Sequence, residues 1–104
     1  MKEEIFAELI KIVSRETEIA CEMIVSKCSK AEVVDARYIL ARLLHDAGFY
    51  KSQIAERLRL SRRSVFVILG NFDERLRYNR MMRISYERIR KILGNDSEGG
   101  LQIH

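Results

Sequence analysis

Residues 61–64 read Ser-Arg-Arg-Ser and stand at the head of an apolar run, Val65, Ile68 and Leu69, spaced for one face of a helix. Serine is a favoured N-cap, because its hydroxyl can accept from an amide of the first turn. With Ser61 as the cap, Arg62, Arg63 and Ser64 occupy that first turn. Two cations there oppose the helix dipole by about 0.3–1 kcal/mol each. A sequence selected for stability alone would prefer acids. The arrangement makes sense when an anion is brought to the helix end, where unpaired amides and the dipole favour phosphate. Arginine adds a planar fork that fits phosphate oxygens and the guanine edge. The chemistry implied is recognition of a polyanion, not catalysis.

The elements that must position these residues are legible on either side. The stretch KSQIAERLRLSRRSVFVIL, residues 51–69, has Ile54 and Leu58 on one helical face, a small Ala55 where a second helix must cross, and Leu60 to plug the turn. This is the spacing of a helix-turn-helix, whose second helix enters the major groove of DNA. Helices over about 51–58 and 61–78 follow from it. Arg59 stands where such a turn often has glycine, and a left-handed backbone there costs an arginine roughly 1 kcal/mol.

Upstream, Ile5, Leu9, Ile12 and Val13 form a stripe on a helix over about 3–14. Ile19, Met23 and Ile24 begin a second helix, capped by Thr17 and reaching about Lys27. Ser29-Lys30-Ala31-Glu32 reads as a capping box. The helix it opens carries Val33, Ala36, Leu40, Leu43 and Leu44 and ends at Gly48. A last helix is expected over about 82–93, with Ile84, Ile89, Ile92 and Leu93 inward and its boundary with the preceding helix poorly marked. The expected architecture is all-α, a single helical domain over 1–94 with a disordered tail at 95–104.

Charge is distributed to match. Residues 1–50 hold seven Lys/Arg against nine Asp/Glu, a balance of −2, and residues 51–104 hold twelve against six, a balance of +6. These sum to the net +4 of the whole chain, and ten of the twelve later cations are arginine. A basic half on a small domain points to nucleic acid. The candidate base-facing residues are Arg62, Arg63 and Ser64. The candidate phosphate contacts are Lys27, Lys30, Arg37, Lys51, Ser52, Arg57, Arg59 and Ser61.

Other classes are excluded by what the sequence lacks. No Ser/His/Asp grouping and no G-x-x-x-x-G-K-[ST] loop is visible, so neither catalytic residues nor ATPase activity is expected. His45 and His104 have no ligand-spaced partner, so no metal or other cofactor is expected, nor a small-molecule substrate. Cys21 and Cys28, read as two turns apart on one helix, would be roughly 10 Å apart, too far for a disulfide, and are expected as buried thiols. With no apolar run of spanning length and no basic leader, a cytoplasmic location without membrane partner is expected.

The stretch IVSKCSKAEVVDARYILARLLHDAGFYKSQIAERLRLSRRSVFVIL, residues 24–69, resembles the C-terminal DNA-binding domain of DnaA, the bacterial replication initiator. The match rests on the Ser-Lys opening at Ser26-Lys27 and on Val33-x-x-Ala36-Arg37. Flanking helices extend it over most of 3–93. The resemblance implies a tryptophan-repressor-like bundle with an embedded helix-turn-helix that binds duplex DNA, with Arg37 anchoring the DNA backbone. The chain also departs from the family. The Arg-Asp-His-Ser/Thr-Thr-Val motif that reads the initiator's own DNA box is here Leu60-Ser61-Arg62-Arg63-Ser64-Val65. Ser29 replaces the arginine that reaches the minor groove, with Lys27 and Lys30 close by, and Tyr38 replaces a frequent glutamine. Sequence-selective DNA binding is therefore the expected function, in replication, transcription or a mobile element. A protein-interaction module that kept the fold and lost DNA is the alternative, supported by the acidic first half and by the apolar Phe66 and Val67.

Overall fold

One helix is apolar on enough of its surface to be packed from several sides. Val33, Ala36, Ile39, Leu40, Ala41, Leu43 and Leu44 are all buried in the computed structural model, which describes residues 1–101, with side chains described through Gly94. This helix, α3 (Ala31–Asp46), touches every other helix of the described chain: α1 (Lys2–Thr17), α2 (Cys21–Ile24), α4 (Lys51–Leu58), α5 (Arg62–Arg77) and α6 (Arg80–Leu101). The fold is all-α, with no strand among the described residues. A single core joins Leu9, Ile12 and Val13 of α1 to Ile54 and Leu58 of α4, Val65, Ile68 and Phe72 of α5, and Met82, Tyr86 and Ile89 of α6. Phe72 and Tyr86 meet edge to face, their centroids 5.0 Å apart.

The ends of α3 and α4 show how the chain is turned between helices. After Asp46, Gly48 adopts a φ of 98°, and the amides of Gly48 and Phe49 donate to the carbonyls of His45 and Leu44, each at 3.0 Å. This is the Schellman arrangement, which needs a left-handed residue and for which glycine is best suited. The end of α4 repeats it without glycine. Arg59 has φ 57°, and the amides of Arg59 and Leu60 donate to Glu56 and Ala55 at 3.3 and 2.8 Å. Leu60 is thereby turned toward the core, as a residue plugging the turn must be. At the other end of α4, the Gln53 side chain accepts from the Tyr50 amide and from Lys2 Nζ, at 2.8 and 2.9 Å, which ties α1 to the start of α4.

Several local expectations are corrected. Thr17 does not open the second helix. It belongs to the end of α1, where its hydroxyl donates to the Val13 carbonyl at 2.7 Å and accepts from the Ile19 amide. The second helix is only four residues long and stops at Ile24, not Lys27. Cys28 therefore lies off it, and both thiols are half-buried and unbridged. The capping box at Ser29 does not form, because Lys30 occupies the N-cap position and no side chain caps α3. Ile5 and Met23 are exposed, and Ile84, Ile92 and Leu93 are only half-buried, while Met82 and Tyr86 take the inward positions on α6. The α5–α6 boundary is marked after all by Asn79, whose side chain accepts from the Met82 amide at 3.0 Å and donates to Asp35 at 2.7 Å. α6 begins at Arg80 and is followed to Leu101. The tail expected at 95–104 falls on residues whose side chains, and for 102–104 the whole residues, lie outside the described part.

Arg37 accounts for how so short a helix as α2 is held. Four residues cannot satisfy their own carbonyls, which need outside donors. The Arg37 guanidinium, on a residue only 7% exposed, donates through Nε to Ile24 O at 2.8 Å and through Nη2 to Ser26 O and Cys28 O at 2.8 and 3.0 Å, with Met23 O at 3.5 Å. Burial lowers its pKa from the ordinary value, an effect the Cys28 thiol partly opposes. Arg37→Ala strands several carbonyls at once and should cost about 2–3 kcal/mol of stability, read as a fall of about 10–20 °C in Tm. Arg37→Lys should rescue little, because a compact ammonium cannot reproduce the fork. Thermal melts of both variants check this; an unchanged Tm would show that the clamp carries no stability.

Candidate nucleic-acid interface

α5 begins as the sequence proposes. Ser61 sits at the N-cap in an extended conformation, and its Oγ accepts from the Ser64 amide at 3.0 Å while donating to Ser64 Oγ at the same distance. The hydroxyls of this pair are engaged with each other, so Ser61 acts on the helix more directly than on any ligand. Arg62 and Arg63 follow in the first turn, exposed, with no acid beside them in that turn and no ion-pair partner among the described residues. Val65, Ile68 and Phe72 hold the opposite face of the helix in the core. Arg62, Arg63, Phe66, Val67 and Gly70 are therefore turned outward together.

The N-terminus of α4 adjoins this face. Lys51 Nζ lies 5.8 Å from the Phe66 ring centroid, so the first residue of α4 and the second turn of α5 form one surface. Ser52 is exposed beside it. At the other end of α4, Arg57 stacks its guanidinium 5.5 Å from the Phe6 ring and is half-buried. It packs α4 onto α1 as well as adding charge. Arg57 and exposed Arg59 line a groove with Phe6, Lys11, Cys21 and Val25, so the α4–α5 turn lies close to the chain leaving α2. That chain carries Lys27 and Lys30, both exposed.

Arg37, expected as a phosphate contact, is turned into the protein. Its guanidinium is occupied by the carbonyls of residues 23–28 and is not presented to solvent as an anion site would require. Its bearing on the surface is indirect, since it shapes the loop from which Lys27 projects. No sequence signal points to this, because it follows from the brevity of α2, whose carbonyls need a donor from elsewhere.

Two features were not foreseen. Gly70 is interior to α5, and a Cβ there would meet nothing within 4 Å. No packing in the chain requires glycine, although glycine in a helix costs about 1 kcal/mol relative to alanine. Asp73 and Glu74 follow on exposed positions and Arg75 and Arg77 stand in the last turn, so the cations of α5 fall at its two ends with acids between them. Among the described residues no group of three or more His, Cys, Asp or Glu side chains is placed to hold a metal, and no helix is long and apolar enough to cross a membrane.

The backbone of Arg59 supplies a direct test of why a cation stands there. Arg59→Gly should relieve the left-handed strain and raise stability by up to about 1 kcal/mol, and, if the arginine serves an anion contact, should weaken retention on a polyanionic matrix at low salt. A gain in Tm with unchanged retention would show that the arginine serves no such contact. Comparison of the chain with protein-family models, with curated proteins and with solved structures finds no match, so the DnaA resemblance rests on the residues of the 24–69 segment themselves.

Proposed function

We propose that the chain binds double-stranded DNA with sequence preference, using α4 and α5 as a helix-turn-helix and α5 as the helix that enters the major groove. The observation that carries this reading is the exposed Arg62–Arg63 pair in the first turn of a serine-capped helix, on a surface continuous with Lys51. The geometry suits the chemistry in two ways. Arginine side chains at the beginning of such a helix reach base edges, with the guanine O6 and N7 as the best bidentate partners. Lys51 and Arg59 stand beside that point on other elements, and Lys27 and Lys30 are exposed on the chain leaving α2; as phosphate contacts they would fix register without specifying sequence. Ser52 and Arg57 complete the rim. The role is that of a regulator or of an accessory in replication or in a mobile element, without catalysis.

The second reading is a protein-interaction module, favoured by the exposure of Phe66 and Val67 on α5. The two readings differ in their response to salt. Binding through about four to five phosphates should give a slope of roughly −4 in log affinity against log salt.

Selection of bound duplexes from a random pool, followed by affinity measurement, tests the proposal at residue level. Arg63→Ala should cost about 1–3 kcal/mol on the selected site and much less on random DNA. Lys51→Ala should weaken both about equally and reduce the salt slope by about one unit. Equal losses on selected and random DNA for both variants would mean that α5 holds DNA by charge alone. A flat salt response, or no binding at low salt, would overturn the proposal.

A further inference from the structure

We infer that Phe66 reads thymine, its ring lying against the 5-methyl group in the major groove; the inference rests on the reading of α5 as the groove-entering helix. Phe66 is 66% exposed and its neighbour Val67 46% exposed. Neither belongs to the core or packs against it. Phe66 follows Arg62 by four residues and Arg63 by three, so it shares their face one turn further along. Its ring has Lys51 Nζ on one side at 5.8 Å. The result is a small apolar surface rimmed by Lys51, Arg62 and Arg63.

That combination selects among occupants. A protein surface complementary to it would need apolar groups set within an acidic rim. Duplex DNA offers this at every thymine in the major groove: the C5 methyl is an apolar contact exposed on the base edge, flanked by phosphates. Gly70, with open space where a side chain would be, keeps the same face low one turn beyond Phe66. Asp73 and Glu74 then place acids on the following turn, so the cations that flank Phe66 on α5 are those of its first turn. One helical turn advances about 5.4 Å, against about 3.4 Å per base pair. A guanine read by Arg62 or Arg63 and a thymine read by Phe66 should accordingly lie within about two base pairs of each other.

The test uses the full chain and duplexes selected from a random pool, in which deoxyuridine replaces each thymine in turn and so deletes only the methyl group. At one thymine near a guanine, the replacement should weaken wild-type binding about three- to fivefold, the effect of one buried methyl. Phe66→Ala should bind the thymine duplex more weakly and no longer distinguish it from the deoxyuridine duplex, whereas Arg63→Ala should keep the distinction. Phe66→Leu, which retains an apolar contact, should keep part of it. Tm should be unchanged in the Phe66 variants, since the side chain is outside the core. An unaltered thymine-to-deoxyuridine ratio in Phe66→Ala, or no methyl effect at any position, overturns the inference. If such duplexes still lose affinity to Arg63→Ala, the reading of α5 survives without it. Absence of duplex binding at low salt overturns both, and the exposed ring then belongs to a protein contact.

Discussion

The carbonyls of residues 23–28 have too few amides of their own to pair with, and the way the chain meets that need shapes one side of the molecule. α2 makes only four residues of helix before the chain must turn into α3. The bond to the Ile24 carbonyl is buried and those to the Ser26 and Cys28 carbonyls are partly so, and a carbonyl left unpaired there costs roughly as much as a lost hydrogen bond. Arg37 reaches back from the second turn of α3 and supplies the donors. A buried charge is itself expensive unless hydrogen-bonded. Here the two costs offset each other: the guanidinium is solvated by carbonyls, and the carbonyls are satisfied by the guanidinium. Because Arg37 belongs to the helix that every other helix packs against, the loop bearing Lys27 is fixed relative to α4 and α5 as well.

The same trade recurs elsewhere. Arg83 donates to the Leu76 and Arg77 carbonyls at the end of α5, at 3.1 and 3.0 Å. Arg75 pairs with Asp35 at 2.7 Å, and Arg42 reaches both Asp46 and Asp73 at 3.4 Å. The exposed pairs among these contribute little individually. Their effect on the surface is larger than their effect on stability, because each arginine so engaged no longer contributes an unpaired cation.

This explains which parts of the molecule were legible in the sequence. The α3 stripe, the Gly48 ending, α4 and the Ser61 cap follow local rules in which a residue's type and its neighbours decide its role. The limits of α1 and α2 were not legible, because Thr17 can bond backward to Val13 as readily as it can cap forward, and nothing local chooses between them. The α3 start was misread for a related reason: a capping box requires a backbone geometry that the Arg37-held loop does not adopt. On α6, Met82, Tyr86 and Ile89, spaced four and three, form the inward stripe, with Tyr86 against the Phe72 ring; the alternative stripe through Ile84 and Ile92 is nearly as apolar, and local sequence does not choose between them. At the candidate site, the Ser61 cap and the exposure of Arg62, Arg63 and Lys51 follow from local sequence. Arg37 was misassigned because burial, not type, decides what an arginine does.

The count of basic residues in the second half of the chain is thus a poor measure of where an anion would be held. Arg75 and Arg83 spend their donors inside the protein, and Arg90 lies 3.7 Å from Asp46. Arg57 divides itself between charge and the Phe6 ring. What these subtractions leave at the α4–α5 surface is a small set of cations that make no ion pair among the described residues: Lys51, Arg59, Arg62 and Arg63. They stand on three different pieces of backbone, namely the first turn of one helix, a left-handed turn residue and the first turn of the next. Such a set cannot be a by-product of one solvated helix face. It requires the turn between α4 and α5 to hold its geometry, and it does so with arginine, at a strain that glycine would have avoided. Cations are therefore gathered at this corner against two local preferences, the helix dipole at Arg62 and Arg63 and the backbone at Arg59. Together these give the physical case for an anionic partner there.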